Sequence, residues 1–231
     1  LEGGLQALSI NIDTNILQNL EQNILKVIAK NNLVDGFVRV AISRGEGSRG
    51  YMPTEKNSCN IVIETMPTPQ GMENRESADL IISKYRRVPK ECLPVQFKLA
   101  QGLNSTLAKM EAKEVEAFDA LQLNIKDKIA ECSSGNIFWI KGGKIYTPSL
   151  ECDCLNGTMR QIVLEQNPDV IEGEFELDEI KDADEIFITN VSWVVLPVSK
   201  IKDASENKFE NTSGFKNSLE IKRLIQLKVE R

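Results

Sequence analysis

The sequence predicts an α+β protein of mixed α/β character, organised as two domains. Three observations favour this fold class. An amphipathic helical segment opens the chain, a region rich in strand–turn–strand patterns occupies its middle, and the two element types do not alternate regularly as they do in a Rossmann sheet. With 231 residues, 41% of them hydrophobic and 27% charged, the chain is long enough for one large domain or two modest ones.

The first elements are a helix, a strand and a connector. Apolar residues recur at close to the helical period through residues 13–29, with Asp13 or Thr14 as the N-cap, and a strand follows over residues 36–43. Residues 44–53 then hold three glycines, two arginines and a proline. This composition indicates a loop, which we interpret as a connector between two domains.

The region beyond the connector is predicted to be rich in strands. Gly142-Gly143 lies between two strand-like runs and is a strong signal for a two-residue hairpin turn. The predicted strands cover residues 59–65, 78–84, 86–88, 120–123, 129–132, 137–140, 144–147, 185–189 and 194–198, and the predicted helices cover 103–115, 159–166 and 214–229.

Composition excludes several classes of function. The net charge of −6 argues against nucleic acid as a partner, and no apolar run approaches the roughly 20 residues that would cross a membrane. No secretory signal is visible, and five irregularly spaced cysteines favour reduced thiols in the cytoplasm. The chain contains no histidine, which excludes Ser-His-Asp and Cys-His catalysis and His-ligated zinc. We therefore expect no metal site, and acid–base chemistry from other side chains or an organic cofactor.

Four stretches carry side chains suited to chemistry. Lys98 precedes the predicted helix at residues 103–115, and Glu131 precedes a small-residue turn and the run Asn136-Ile137-Phe138. Residues 157–160 (GTMR) open a predicted helix, and the connector at residues 44–51 reads RGEGSRGY. Judged one at a time, these are ordinary features: a surface lysine, a solvated glutamate at a hairpin edge, a helix cap and a basic loop.

In this order and spacing, the four stretches resemble the fold-type IV enzymes that depend on pyridoxal 5′-phosphate (PLP). The family includes branched-chain and D-amino-acid aminotransferases and aminodeoxychorismate lyases, and the connector is most similar to that of the lyases. The resemblance implies a small N-terminal α/β domain at residues 1–44, a connector at 45–54 and a larger, β-rich PLP-binding domain at 55–231. It also implies a homodimer.

The resemblance further implies a role for each residue. Lys98 is the catalytic residue, which binds the cofactor aldehyde and later acts as the general base. Glu131 keeps the cofactor ring nitrogen protonated, and the start of the helix at Gly157 binds the phosphate. The implied cofactor-binding residues are Lys98, Glu131, Gly157, Thr158, Met159 and Asn190. Arg44, Arg49 and Tyr51 are the implied residues for the carboxylates of a small-molecule substrate, with a role in orienting the two domains as the alternative.

The implied activity is a lyase reaction of folate biosynthesis, in which 4-amino-4-deoxychorismate becomes 4-aminobenzoate and pyruvate. Two alternatives remain open. One is an aminotransferase for branched-chain or D-amino acids. The other is a non-catalytic, truncated remnant of the same fold, because Gly4 and Ala7 stand where the family carries histidine and a phosphate-binding arginine, and the strands that normally precede this segment are not in the sequence. On this reading the small domain is incomplete.

Overall fold

The structure is a computed structural model that describes residues 1–47, 49–53, 59–72, 74–203 and 206–229. The chain divides into two compact units, Leu1–Met72 and Glu73–Arg231. Helices and strands are mixed in both units, which confirms the predicted α+β class. The second unit contains the larger sheet and most of the predicted chemistry.

The first unit consists of helices and one β-hairpin. Its elements are α1 (Glu2–Ala7), α2 (Thr14–Gln18), α3 (Leu20–Lys30), β1 (Gly36–Ser43) and β2 (Asn60–Pro67). β1 and β2 pair antiparallel along their whole length, from Gly36 opposite Pro67 to Ser43 opposite Asn60. The larger domain was predicted to begin at residue 55, and in the structure this pairing groups β2 with the first unit. The predicted domain bounds stay a prediction, and within the predicted connector at residues 45–54, Ser48 and Thr54 lie outside the described residues.

The helix predicted over residues 13–29 is interrupted. Asp13 caps it as expected, because its Oδ1 accepts a hydrogen bond from the Asn15 N–H at 2.8 Å. At Asn19, however, α2 ends and α3 begins. The Asn15 carbonyl accepts two hydrogen bonds at this point, from the Asn19 backbone N–H at 3.1 Å and from the Asn19 side-chain Nδ2 at 2.7 Å.

The second unit is built on one large sheet. Its elements are β3 (Ala78–Ile82), α4 (Leu103–Glu114), β4 (Asp119–Leu123), β5 (Ile129–Cys132), β6 (Asn136–Lys141), β7 (Lys144–Pro148), α5 (Thr158–Gln166), β8 (Ile171–Gly173), β9 (Glu185–Asn190), β10 (Val194–Asp203), β11 (Glu206–Glu210) and α6 (Lys216–Val229). The strand order is β5-β4-β3-β10-β9-β6-β7-β8, and β11 pairs with β10. β3 is parallel to β4 and to β10, and β7 is parallel to β8; the other pairs are antiparallel.

Alternation along the central strands divides the core between the two faces of the sheet. On β6, Trp139 belongs to one hydrophobic cluster, together with Leu121 and Ile188. Phe138 belongs to the other, which includes the helices α5 and α6. The Gly142-Gly143 turn is confirmed: both glycines have left-handed φ values, 57° and 76°, and Lys141 pairs with Lys144 across them. Residues 86–88, predicted as a strand, have no regular structure.

Helix α6 is joined to β9 through one buried carboxylate. Glu185, 3% exposed, accepts hydrogen bonds from the backbone N–H and side chain of Asn217 at 2.9 and 2.8 Å, and from the backbone N–H and hydroxyl of Ser218 at 2.8 and 2.6 Å. These N–H groups lie in the first turn of α6, where the helix itself offers no acceptor.

We expect Glu185→Ala to lower the free energy of unfolding by about 2–4 kcal/mol, because it leaves buried donors without an acceptor. Urea unfolding followed by circular dichroism measures the loss. The control is Glu220→Ala, which removes an exposed carboxylate on the same helix and should change stability by less than about 0.5 kcal/mol. Equal losses for both variants would contradict the capping role.

Candidate functional site

Lys98 lies in a long irregular segment between β3 and α4, and its side chain is exposed. The segment is fixed at both ends. Near its start, the Ser83 N–H donates to the Leu121 carbonyl of β4 at 2.8 Å; near Lys98, the Gln96 carbonyl accepts from the Asn156 N–H at 3.0 Å. The second bond places Lys98 two residues from an attachment to the loop that leads into α5.

Glu131 is buried rather than solvated, with only 5% of its surface exposed. Its Oε1 lies 2.8 Å from an Arg87 nitrogen. Its Oε2 accepts from the Asn136 side-chain Nδ2 and from the Leu155 N–H, both at 3.0 Å. Burial raises the pKa of the Glu131 carboxyl, while the Arg87 cation, the Leu155 N–H and the Lys98 ammonium oppose that rise.

The start of α5 adjoins the same carboxylate. Asn136 also donates to the Leu155 carbonyl at 2.8 Å, so one amide joins Glu131 to the loop before the helix. Gly157 is the N-cap of α5 in an extended conformation, and no side chain among the described residues bonds its first-turn N–H groups as a cap. Thr158, the first helical residue, is exposed. Its backbone therefore offers uncapped N–H groups to an anion.

A glycine is required at position 157. A Cβ atom there would lie 2.3 Å from the Asn136 Oδ1, closer than van der Waals contact allows. We expect Gly157→Ala to displace the Asn136 amide from Glu131 and to lower the free energy of unfolding by about 1–3 kcal/mol, as measured by urea unfolding. Gly102→Ala is the matched control, because Gly102 is the N-cap of α4 and a Cβ atom there would come no closer than 4.0 Å to its nearest neighbour, the Ala100 carbonyl oxygen. Similar losses for both would show that the change at 157 acts through helix capping alone.

Met159 and Asn190 have structural tasks of their own. The Met159 side chain is buried in the cluster with Phe138, so only its backbone is available to a ligand. Asn190 ends β9; its Nδ2 donates to the Ser134 carbonyl at 3.0 Å, and its Oδ1 accepts from the Ser192 N–H at 2.8 Å. This attaches the β9–β10 turn to the turn that follows Glu131.

The three connector residues belong to the first unit. The Arg44 guanidinium donates to the Leu8 carbonyl and, at 2.7 Å, to the Ser9 carbonyl, so it holds the chain after α1. Arg49 and Tyr51 are exposed. A role of these residues in binding substrate carboxylates stays a prediction.

Two residues at the site, Arg87 and Asn136, received no role from the sequence. In the sequence, Asn136 belongs to the run that ends at Phe138, and Arg87 lies in the predicted strand at residues 86–88. Both contact Glu131 from segments that are distant along the chain or across a turn. Periodicity reports which face of an element is buried and carries no information about such partners.

Neither a metal centre nor a membrane span is found in the described part of the chain. No group of acidic or cysteine side chains there has an arrangement suited to holding a metal ion. Likewise, none of the helices described combines the length and apolar character that crossing a bilayer requires.

Comparison with known proteins gives a consistent family. The sequence profile of the family described as "Amino-transferase class IV" matches residues 1–201. A Methanocaldococcus jannaschii protein, provisionally named a branched-chain-amino-acid aminotransferase, is 30% identical over 182 residues, which cover 77% of this chain and 63% of that protein. The aminodeoxychorismate lyase of Vibrio harveyi is 31% identical over 182 residues, covering 77% of this chain and 67% of the lyase.

A solved structure extends the likeness to the fold. The T.th. branched-chain amino acid aminotransferase with pyridoxamine 5′-phosphate superposes with a TM-score of 0.83 at 25% identity, covering 97% of this chain and 74% of that chain. The chain thus spans about two thirds of the length of its curated relatives and matches the fold over nearly all of its own.

Proposed function

The chain belongs to the class IV aminotransferase family, and on that premise we propose that it is a PLP-dependent lyase that converts 4-amino-4-deoxychorismate to 4-aminobenzoate and pyruvate. One observation carries the proposal. Hydrogen bonds through Gln96, Asn156, Leu155 and Asn136 link the segment of Lys98, the buried carboxylate of Glu131 and the uncapped start of α5.

The residues present fit the cofactor. The Lys98 amine is exposed and would bind the PLP aldehyde. Glu131 would face the ring nitrogen of the cofactor. Beside Arg87, this buried carboxylate can remain ionised and accept a hydrogen bond from the protonated nitrogen. The first-turn N–H groups of α5, at Thr158 and Met159, would hold the phosphate. Asn190 stabilises the β9–β10 turn, and this turn would border the cofactor on the side of its phosphate.

The chemistry is divided between the cofactor and the chain. When bound, PLP supplies an electron-accepting ring that stabilises negative charge on the carbon bearing the substrate amine. Lys98 would be the base that takes the proton from the same carbon. The bond between the ring carbon and the enolpyruvyl oxygen would then break. The released enolpyruvate would take up a proton to become pyruvate, and the ring would become aromatic as 4-aminobenzoate. No second keto acid is consumed, which distinguishes this reaction from transamination.

An aminotransferase is the second candidate, supported by the likeness to branched-chain aminotransferases. The connector favours the lyase, since Arg44, Arg49 and Tyr51 stand in a pattern similar to that of the lyases. In this proposal the exposed Arg49 and Tyr51 bind substrate carboxylates, which suits a substrate with two of them. Arg44 supports them by fixing the chain beside Leu8 and Ser9.

The proposal is tested by reconstituting the purified protein with PLP. We expect visible absorption that borohydride removes, followed by formation of equal amounts of 4-aminobenzoate and pyruvate from 4-amino-4-deoxychorismate. Leucine, valine and D-alanine test the second candidate, because an aminotransferase would convert the bound cofactor to its pyridoxamine form with one of them. Protein that does not bind PLP would overturn both and would favour a non-catalytic remnant.

We further propose that the protein is a homodimer, that it is located in the cytoplasm and that it acts in folate biosynthesis. Light scattering of the reconstituted protein tests the dimer. A monomer with full activity would contradict it.

A further inference from the structure

Glu131 and Arg87 form a buried ion pair. Their side chains are 7% and 10% exposed, and their charged atoms lie 2.8 Å apart. A carboxylate this far from water remains ionised only if a cation and hydrogen-bond donors compensate for its lost hydration. The ionisation of Glu131 therefore depends on the Arg87 cation and on the hydrogen-bond donors that contact the carboxylate.

Arg87 also contacts the segments on either side of the predicted site. Its Nε donates to the Asp153 carbonyl at 3.2 Å, in the loop that leads to α5. Its Nη1 donates to the Ser105 hydroxyl at 3.2 Å, in the first turn of α4. Arg87 itself precedes Lys98 in the irregular segment. One rigid guanidinium thus joins Glu131, both flanks of Lys98 and the loop before the phosphate-binding turn.

Other charged or titratable groups also act on Glu131. They are the cations of Lys98 and Arg160 and the thiols of Cys132 and Cys154. Lys98 is exposed, and Arg160 is engaged with the Pro148 carbonyl and the Glu172 carboxylate. Burial raises the pKa of both thiols, so they stay neutral. Arg87 is the cation in direct contact with Glu131.

We propose that Arg87 is a positioning residue that keeps the Glu131 carboxylate ionised and holds it in register with the segment bearing Lys98. Its value to catalysis rests on the proposed function, because an ionised Glu131 is what a protonated ring nitrogen requires. Its effect on the charge of Glu131 exists without the cofactor and can be measured separately.

The pH dependence of stability gives the cofactor-free readout. Burial already raises the pKa of Glu131 above its value in the unfolded chain. The folded protein then holds more protons between the two pKa values, so this group makes stability fall as pH rises through that window. Removing Arg87 raises the pKa of Glu131 in the folded protein further. The fall in stability then extends to higher pH. Arg87→Met should therefore lose more stability at about pH 8 than at about pH 5.

The test compares Arg87→Met, Arg87→Lys, Glu131→Gln and the double variant Arg87→Met/Glu131→Gln by urea unfolding at both pH values. The extra pH dependence should appear in Arg87→Met, be smaller in Arg87→Lys and vanish in the double variant, which has no carboxyl to titrate. Arg86→Met is the matched control, because its guanidinium pairs with the exposed Asp127. A pH dependence of Arg87→Met equal to that of Arg86→Met would overturn the proposal. If Arg87→Met does not fold, Arg87→Lys and the double variant still decide it.

A second test of the proposal measures PLP binding. We expect Arg87→Met to weaken PLP binding by about tenfold or more, equivalent to about 1.4 kcal/mol, and Arg86→Met to leave it unchanged. Wild-type affinity in Arg87→Met would overturn the positioning role. If the wild type binds no PLP, the proposed function fails, and the pH comparison alone supports or overturns the effect of Arg87 on Glu131.

Discussion

Lys98→Ala is expected to lose covalent attachment of PLP and to reduce the rate of 4-aminobenzoate formation by about 10³-fold or more. The residue has two tasks in the proposed reaction, as the amine that binds the cofactor aldehyde and as the base that takes the substrate proton. A positioned general base alone contributes about 10²- to 10⁴-fold. Because the Lys98 side chain is exposed, stability should change by less than about 0.5 kcal/mol.

Three measurements check this expectation. Absorbance reports the attachment, mass spectrometry after borohydride reduction locates the modified peptide, and the assay of 4-aminobenzoate gives the rate. Lys90→Ala is the control, since Lys90 lies in the same segment and pairs with the exposed Glu151. It should keep both attachment and activity. Reductive labelling at a lysine other than 98, or an active Lys98→Ala variant, would refute the assignment.

Local sequence signals predicted those parts of the fold whose cause is local. The Gly142-Gly143 turn follows from the conformational freedom of two adjacent glycines, and β1 follows from its own alternation. The break at Asn19 was not predicted, because apolar residues continue at the helical period on both sides of it and the pattern carries no sign of an interruption. β8 and β11 were missed as well: they are short and polar, and pairing at the periphery of the sheet, rather than their composition, makes them strands.

The limit of local sequence signals is greater for the candidate site. Its residues were predicted from the resemblance to a family, whereas their individual chemistry allowed ordinary surface roles. The structure changes that balance for Glu131, which is buried in the ion pair with Arg87 rather than solvated. Arg87 could not be found from the sequence, because a buried arginine and an exposed one have the same side chain and the partner lies on a strand distant along the chain. The grouping of β2 with the first unit likewise depends on a non-local event, its pairing with β1.

Glu131→Gln is expected to lower kcat by about 10²-fold or more and to change the pH profile of the reaction. The amide keeps the shape of the side chain but carries no charge to hold a proton on the cofactor ring nitrogen, and preorganised electrostatic groups of this kind contribute about 10²- to 10³-fold. The substitution also leaves Arg87 buried without its partner, so we expect a loss of stability of about 3–5 kcal/mol. Rates must therefore be measured where the variant is fully folded.

The pH profile separates loss of charge from loss of structure. Burial raises the pKa of Glu131, and the ionised form is the active one, so wild-type activity should fall as pH drops through that raised value. This acidic limb should be absent in Glu131→Gln. Glu172→Gln is the control, because Glu172 on β8 also pairs with a buried arginine, Arg160, and it should keep the limb and most of the rate. An unchanged acidic limb in Glu131→Gln would assign that titration to another group and remove Glu131 from the role of holding the ring proton.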